Sequence, residues 1–225
     1  MKFKHELAEL FQLKTVTGNG KRFYETPEGD RYPSVTTITG LLSREAIQAW
    51  RLRVGEEAAN KITKAATTRG TKVHKLAELY LRNELVSQTS LFEEEMPLIG
   101  EMFNQLAEEL DKHVGIVKAI EAPLYSNAPR LRVGGTVDLV AEWDGVLSVI
   151  DFKTSSKPKR VDWIDAYFMQ SAAYAVMFEE RTQMPVSQVV IAIAVEQHGP
   201  QVFYGKREDY IEQFKDLRAQ FDIID

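Results

Sequence analysis

Two aspartates and a lysine interrupt the apolar runs of the segment GGTVDLVAEWDGVLSVIDFKT. Alternating apolar residues on both sides of Asp144-Gly145 predict a β-hairpin, because a type I′ turn needs positive φ at both central positions. A two-residue turn fixes the register and places Trp143 opposite Val146. In the same register Asp138 lies opposite Asp151, so the sequence predicts two carboxylates side by side.

Alternation along the two arms decides which side chains share a face of the hairpin. One face is predicted to carry Thr136, Asp138, Val140, Leu147, Val149, Asp151 and Lys153, and the other Val137, Leu139, Ala141, Ile150 and Phe152. Both faces are apolar enough to be buried, and buried carboxylates that face each other need a positive partner. Lys153 supplies part of that charge. Mg²⁺, for which Mn²⁺ can substitute, supplies it better, because it binds carboxylate oxygens and keeps waters for chemistry. The alternative is a buried Asp–Lys ion pair beside one exposed aspartate.

Composition narrows the classes of protein that fit this chain. Its 225 residues are 44% hydrophobic and 27% charged, and no apolar run is long enough to cross a membrane. The first residues lack a secretory apolar stretch, so we expect a cytoplasmic location, in a bacterium or a phage-infected host cell. No cysteine is present, which excludes disulfides, cysteine nucleophiles and iron–sulfur clusters. Oxygen and imidazole groups must therefore hold any metal.

Charge is distributed unevenly along the chain. The net charge is −5, but residues 91–112 alone carry −6, so the remainder is slightly basic. Residues 31–85 carry +5, and residues 153–160 contain four cations and no acid. These segments indicate a basic surface for a polyanion. Solvated helix faces are the alternative interpretation.

The order of apolar patterns predicts one α/β domain with a central mixed sheet flanked by helices. Residues 1–33 are predicted to form a β lead-in with an N-terminal hairpin, 34–113 a helical insertion, and 114–225 the sheet and its flanking helices. The predicted helices are 43–64, capped by Ser43, then 70–83, 96–113, 163–182 and 208–221; the predicted strands outside the hairpin are 116–125, 189–195 and 201–206. The first helix is predicted to bury Ile47, Trp50, Val54, Ala58 and Ile62.

Four short motifs follow one another in the order GTKVH, GTVD, DFK and QSAAY, at residues 70–74, 135–138, 151–153 and 170–174. A lone DxK pattern carries little information, but the four together resemble the RecB-like branch of the PD-(D/E)XK nuclease superfamily. Residues 32–38 with Trp50, and residues 150–158, look like the mitochondrial genome maintenance exonucleases and their bacteriophage relatives. The resemblance runs from about Arg31 to Phe178. Valine stands before Asp138, where the superfamily name has proline.

The resemblance implies a restriction-endonuclease-like core and a Mg²⁺-dependent deoxyribonuclease. It implies that the metal is bound by His74, Asp138, Asp151 and the backbone carbonyl of Phe152, with Asp138, Asp151 and Lys153 catalytic. Without this context, His74 would be interpreted as a packing residue. Gln170 and Tyr174 are implied to line the site and contact the nucleic-acid backbone, and Glu78 and Glu121 are candidate supports for the metal ligands. Candidate phosphate contacts are Lys157, Lys159, Arg160, Arg51, Arg53, Lys72 and Lys75, and Trp50 or Tyr167 could stack on unpaired bases.

The resemblance implies an exonuclease that hydrolyses DNA from free ends, prefers single strands and serves recombination, repair or degradation. The basic helical region before the hairpin could cover the site and admit a threaded strand. A double-strand exonuclease or a structure-specific endonuclease with the same site is the enzymatic alternative, and a DNA-binding module on a decayed nuclease fold is the non-enzymatic one. No P-loop pattern is present, so no nucleotide cofactor is expected. No membrane partner is expected, and protein partners stay open.

Overall fold

A six-stranded mixed sheet forms the centre of the described chain, which comprises residues 2–18, 20–85 and 96–224 of a computed structural model. The strands are β1 (Lys4–His5), β2 (Lys14–Gly18), β3 (Lys21–Glu25), β4 (Arg31–Pro33), β5 (Val114–Ser126), β6 (Val133–Trp143), β7 (Val146–Ser155), β8 (Gln188–Val195) and β9 (Gln201–Lys206). The central order is β1-β5-β6-β7-β8-β9, with β1–β5 and β7–β8 parallel and the other neighbours antiparallel. Strands β2, β3 and β4 form a separate antiparallel sheet. The predicted mixed sheet and antiparallel lead-in are confirmed.

Helices cover both faces of the central sheet. They are α1 (Val35–Thr39), α2 (Arg44–Val54), α3 (Glu56–Leu81), α4 (Pro97–His113), α5 (Asp165–Thr182) and α6 (Arg207–Ile224), with 3₁₀ turns at Gly40–Ser43 and Val161–Trp163. Residues of α3 and α4 form one buried cluster against the sheet, the α3–α4 core. Residues of α1, α5 and α6 form the other, the α5–α6 core. Among the described residues, no helix is both long and apolar enough to span a membrane.

Part of the predicted patterning lies outside the described residues. Asn19 belongs to the first predicted turn, and residues 91–95 belong to the predicted acidic run. The remaining part of that run lies on α4, as the sequence predicts.

The helical region differs from its prediction in where it breaks. The predicted boundary lay between 64 and 70, but α3 runs without interruption through Gly70. The break falls at Gly55, whose φ of 85° is a conformation that side-chain-bearing residues rarely adopt. Ser43 does not cap α2 through its side chain; its hydroxyl donates to the carbonyl of Gly40. Ser34 instead caps α1, accepting from the N–H of Thr37 at 3.0 Å.

The apolar stripe predicted for the first helix is not a core. None of the α2 residues, all of which the structure describes, is buried. Ile47 and Ile62 are 47% and 53% exposed. Helical spacing was therefore identified correctly, but spacing does not report whether a neighbouring element covers the stripe. On the second half of α3 the predicted stripe is buried, with Val73, Leu76 and Ala77 in the α3–α4 core.

The hairpin between β6 and β7 has the predicted turn and register. Asp144 and Gly145 both have positive φ, 53° and 78°, as a type I′ turn requires. Trp143 pairs with Val146, and the ladder continues to the pair of Leu139 and Ile150. The next step of the same register would pair Asp138 with Asp151, but the regular ladder ends before it.

Side-chain alternation along β6 reverses at Asp138. Val137 packs in the α5–α6 core with Val140, whereas Leu139 packs in the α3–α4 core. Residues two apart on a regular strand share a face, so the backbone rotates between Val137 and Leu139. The prediction that these two residues share a face is wrong. The rotation turns Asp138 towards α3.

The neighbouring strand β5 has a matching irregularity. Ile120 pairs with Leu139 and Ala122 pairs with Val137, which leaves Glu121 opposite Asp138. Glu121 has a φ of 44°, a left-handed conformation that is rare for residues other than glycine and concentrates at functional sites. The kink presents the Glu121 carboxylate on the same side as Asp138.

Candidate active site

The site lies where β6 and β7 separate, and the carboxylate of Asp138 bridges the opening. Its Oδ2 accepts a hydrogen bond of 2.8 Å from the backbone N–H of Phe152. This bond takes the place of a ladder bond, because regular pairing has ended one residue earlier. Asp138 is therefore fixed by the backbone of the strand that carries the second aspartate.

Helix α3 brings His74 to this opening. The buried residues Val73 and Ala77 anchor that turn of the helix against the sheet. The imidazole Nε2–H donates to the carbonyl of Phe152 at 2.9 Å. Its Nδ1 lies 3.4 Å from Oδ1 of Asp138 and 3.8 Å from Oε1 of Glu121. Strands β5, β6 and β7 thus all contribute a group to one histidine.

The second carboxylate, Asp151, faces α5. Its Oδ1 accepts a hydrogen bond of 2.8 Å from the side-chain amide of Gln170. Its Oδ2 forms an ion pair with the ammonium of Lys153, two residues along the same strand. The Lys153 ammonium also lies over the ring of Tyr167, 5.0 Å from the ring centroid. Asp151 is only 2% exposed, so these contacts replace water around its charge.

Electrostatic coupling on the α3 side favours the charged forms of both groups. Burial alone would lower the pKa of His74. The charge of Asp138, together with hydrogen bonding to Asp138 and Glu121, outweighs burial and raises the pKa of His74 to about 10. Burial would likewise raise the pKa of Asp138, but the charged imidazole holds that pKa below its ordinary value. Without a metal, a proton on His74 therefore supplies the positive charge at this position.

The α5 side is less well compensated. Burial, together with the charge of Asp138, raises the pKa of Asp151 to about 6 despite the ammonium of Lys153. Burial opposes the charge of Lys153, but the two aspartates outweigh it and raise the pKa of Lys153. Burial also raises the pKa of Glu121. The site thus brings together the carboxylates of Glu121, Asp138 and Asp151 with only two cationic groups, His74 and Lys153. The raised pKa values of Glu121 and Asp151 show that this negative charge is incompletely neutralised.

The donor set fits a divalent cation. One ligand atom each from His74, Glu121 and Asp138 lie within 4.8 Å of one another. Oδ2 of Asp151 is buried and lacks a partner in hydrogen-bond geometry, although the Lys153 ammonium is close. Carboxylate oxygens with one imidazole suit Mg²⁺ or Mn²⁺, and the excess negative charge favours binding. An open cleft of about 480 Å³ reaches His74 and Glu121 from solvent.

Comparison with known proteins supports this interpretation of the cluster. The family model for the PD-(D/E)XK nuclease superfamily matches residues 46–222, which is most of the chain. The chain belongs to this superfamily. It is also 30% identical over 135 residues to mitochondrial genome maintenance exonuclease 1 of Homo sapiens, and 30% identical over 137 residues to that of Mus musculus. Each alignment covers 56% of this chain and only 38% of the relative.

A solved structure of a candidate exonuclease from Eubacterium rectale is similar at 13% identity, with a TM-score of 0.40 and 68% of each chain covered. The superfamily assignment accounts for the restriction-endonuclease-like core, which here is the mixed sheet with helices on both faces. Assignment to the RecB-like branch stays a prediction.

Within this candidate site, the positions of two glutamates differ from their predicted roles. Glu78 was predicted to support His74, but it pairs with Lys75 at 2.8 Å and with Arg82 at 3.1 Å. Glu121 was also expected only to support the ligands, but it joins the donor cluster itself. The reason is the left-handed backbone of Glu121, which strand periodicity cannot reveal. The carbonyl of Phe152, implied as a ligand, accepts from His74 in this structure.

The two residues of the QSAAY motif lie beneath the site. Gln170 is 9% exposed and holds Asp151, and Tyr174 is 2% exposed. The ring of Tyr174 packs so closely on Gly135 that a Cβ there would lie 2.5 Å from it. Their burial indicates positioning rather than the implied contact with the nucleic-acid backbone. The same contact explains the glycine that opens the GTVD motif.

The predicted phosphate contacts are only partly available. Lys157 and Arg53 are exposed, and Lys75 lines the cleft beside His74. Several of them have partners: Lys75 pairs with Glu78 at 2.8 Å, Arg51 with Glu56, Arg160 with Asp162 at 3.0 Å and Lys72 with the sulfur of Met96. Gln201 holds Lys159 through its backbone only. Arg22 of β3 also lines the cleft, and sequence reasoning did not select it because the lead-in was not expected to reach the site.

Of the two aromatic residues predicted to stack on bases, the structure places one at the site. Tyr167 is half-buried with its ring against Lys153. Trp50 lies half-buried on α2. The most exposed aromatic side chain of the described residues is a third one, Trp163, at 63%.

Proposed function

We propose that this protein is a divalent-metal-dependent DNA exonuclease that acts from free ends and prefers single strands. The observation that carries the proposal is the union of Asp138, Asp151, Lys153 and His74 in one buried to half-buried cluster at the opening of β6 and β7, in a chain of the PD-(D/E)XK nuclease superfamily. Similarity to mitochondrial genome maintenance exonuclease 1 of two mammals supports exonuclease activity. We propose Mg²⁺ as the metal, and recombination, repair or degradation of DNA as the setting.

Phosphodiester hydrolysis needs an attacking water, stabilisation of the charge that develops on the phosphate and help for the leaving oxygen; a bound divalent cation supplies much of all three. We assign the cation to Asp138, Asp151, Glu121 and His74. The Oδ2–Lys153 pair keeps the Asp151 carboxylate in one orientation, and Gln170 holds its other oxygen. These contacts fix the carboxylate before substrate arrives.

Lys153 has two roles in this proposal. Its side chain is 21% exposed, so its ammonium can reach both the buried carboxylate and a phosphate in the cleft. Its raised pKa keeps it protonated at neutral pH. It therefore neutralises charge on the scissile phosphate and donates a hydrogen bond that orients the attacking water, rather than removing a proton from that water.

The path of the chain past the site supports the proposed preference for ends. Helix α1 packs in the α5–α6 core through Val35 and Ile38, whereas the second half of α3 packs in the α3–α4 core. The segment 40–69 therefore crosses from one face of the sheet to the other, and it arrives at Gly70 and Thr71, which line the cleft. Its exposed, basic character fits a strand that is threaded beneath it, and threading requires a free end.

Two alternatives stay distinct from this proposal. A double-strand exonuclease or a structure-specific endonuclease would use the same cluster on another substrate. A DNA-binding module would have no use for buried, mutually repelling carboxylates, which are costly without a cation. The raised pKa of Asp151 is the mark of that cost.

A substrate panel separates these possibilities. Linear single-stranded, circular single-stranded, blunt duplex and flapped DNA, each with internal and end labels, are incubated with Mg²⁺ and with EDTA. The proposal expects mononucleotides or short products from the linear single strand, an intact circle, slower duplex cleavage and no activity in EDTA. Cleavage of the circle at the same rate would contradict the end requirement, and a fully inert protein would support the binding module.

A further inference from the structure

Trp163 is exposed and held in place, four residues before Tyr167, whose ring lies against the Lys153 ammonium. It ends the 3₁₀ turn Val161–Trp163 and is 63% exposed. An indole this exposed leaves a large apolar surface in water, and such surfaces commonly mark recognition sites. The neighbouring residue, Ile164, is fully buried in the α5–α6 core and anchors the turn.

The loop that leads to Trp163 is rigid. The hydroxyl of Ser155 donates to the carbonyl of Lys157 at 2.6 Å. Gln201 of β9 clamps Lys159, accepting from its N–H at 2.7 Å and donating to its carbonyl at 3.0 Å. The N–H of Trp163 then donates to the carbonyl of Arg160 at 3.0 Å. The indole is thus presented by a preorganised frame, which limits the entropy lost when a ligand binds.

One face of the indole carries a cation. The guanidinium of Arg160 lies over the ring, 5.6 Å from its centroid. Asp162 holds that guanidinium through two hydrogen bonds of 3.0 and 3.1 Å. With Arg160 against one face and most of the residue exposed, the other face is open to a planar partner.

Trp163 is connected to the catalytic lysine, Lys153, through a nearby residue of the chain. Tyr167, whose ring lies against the Lys153 ammonium, follows Trp163 by four residues, about one turn of chain. The exposed ammonium of Lys157 lies on the same loop. The segment that follows Lys153 along the chain therefore carries both an exposed cation, Lys157, and an open aromatic face, Trp163.

We propose that Trp163 is a stacking platform for an unpaired base of the DNA strand whose phosphate occupies the active site. The inference rests on the proposed nuclease function and deepens it, because it assigns the single-strand preference to a residue. A base inside a duplex is stacked on both neighbours and has no free face to offer, whereas an unpaired base can present one. Base–aromatic stacking is sequence-tolerant, so no sequence preference is expected.

The test measures binding of a fluorescent dT₁₂ strand, a blunt duplex and a strand of abasic residues of the same length, all in the cleavage-deficient Asp151→Asn background with Mg²⁺. Trp163→Ala is expected to weaken binding of dT₁₂ by roughly tenfold or more, while Trp163→Phe retains most of the affinity because it keeps an aromatic face. Binding of the duplex and of the abasic strand is expected to be unchanged. Val161→Ala, an exposed apolar truncation in the same turn, is the matched control and is expected to leave all affinities unchanged.

Failure of the Trp163 platform and failure of the proposed nuclease function would give different results. Unchanged dT₁₂ affinity in Trp163→Ala, or an equal loss on the abasic strand, would overturn the stacking platform while leaving the nuclease proposal intact. If the parent protein neither binds dT₁₂ nor, without the Asp151→Asn change, cleaves it, the proposed function itself is contradicted. Equal losses in Val161→Ala and Trp163→Ala would show that the turn has merely unfolded, and the platform would be rejected.

Discussion

The carboxylate of Asp138 accepts the backbone N–H of Phe152 at 2.8 Å, immediately beyond the last regular pair of the β6–β7 ladder. A side chain that we propose to be catalytic thus also completes the sheet. Oδ2 of Asp138 is held by the strand, and Oδ1 lies 3.4 Å from Nδ1 of His74 on α3. The same hydrogen bond therefore stabilises the end of the sheet and orients the carboxylate.

Removing this acceptor is expected to destabilise the metal-free protein. Asp138→Ala leaves the buried N–H of Phe152 without a partner, at a cost of about 1–3 kcal/mol, whereas Asp138→Asn keeps an acceptor oxygen. Urea unfolding in EDTA measures the difference between the two variants. Equal free energies of unfolding for the two variants would show that the hydrogen bond contributes nothing.

The cluster also predicts how stability depends on pH in the absence of metal. The pKa of Asp151 is raised to about 6 in the folded protein from 3.8, so its contribution is fully present below pH 4 and is lost as pH rises to 6. At 1.36 kcal/mol for each pKa unit, the loss is on the order of 3 kcal/mol. Urea unfolding of wild type and Asp151→Asn at several pH values should show wild type falling relative to the variant over this window. Parallel curves would contradict the burial of this charge.

His74 adds a second window above the first. Its pKa is raised from 6.5 to about 10, so the stability it contributes is present below pH 6.5 and is lost as pH rises through 10. His74→Gln should therefore lower stability at pH 6 more than at pH 10. A variant that is equally destabilised at both pH values would show that the imidazole is neutral in the metal-free fold.

The two glutamates near His74 provide a matched test of the metal site. Glu121 belongs to the donor cluster, whereas Glu78 pairs with Lys75 and Arg82. Glu121→Gln is expected to weaken Mn²⁺ binding by roughly tenfold or more, and Glu78→Gln to leave it nearly unchanged. Calorimetric titration with Mn²⁺ measures both. The reverse order would restore the role that sequence alone assigned to Glu78.

The close packing of Gly135 on Tyr174 can be tested with another matched pair. A Cβ at Gly135 would lie 2.5 Å from the Tyr174 ring, whereas a Cβ at Gly199 would meet nothing within 4 Å. Gly135→Ala is expected to cost about 1–3 kcal/mol of stability, because the buried ring cannot move freely. Thermal unfolding of both alanine variants is the measurement, and equal stability would show that the ring yields without cost.

The sequence was sufficient to predict the hairpin register, because a two-residue Asp-Gly turn leaves little freedom, and that register predicted the meeting of Asp138 and Asp151. The motif order predicted the superfamily. The place of Glu121 could not be predicted, since it depends on one left-handed residue inside a regular strand. The break at Gly55 was missed because two helical patterns read as continuous across it. The Trp163 turn follows a run of cations, a signal that was available but was credited only to phosphate contacts.

The central claim is that Asp151 and its neighbours hydrolyse DNA with a divalent cation. Single-turnover cleavage of end-labelled single-stranded DNA with Mg²⁺, for wild type and Asp151→Asn in parallel, tests it most directly. We predict that wild type digests the strand and EDTA stops it, and that the variant binds the strand but cleaves it roughly 10²–10⁴-fold more slowly. Cleavage by Asp151→Asn at the wild-type rate, or cleavage that persists in EDTA, would contradict the account.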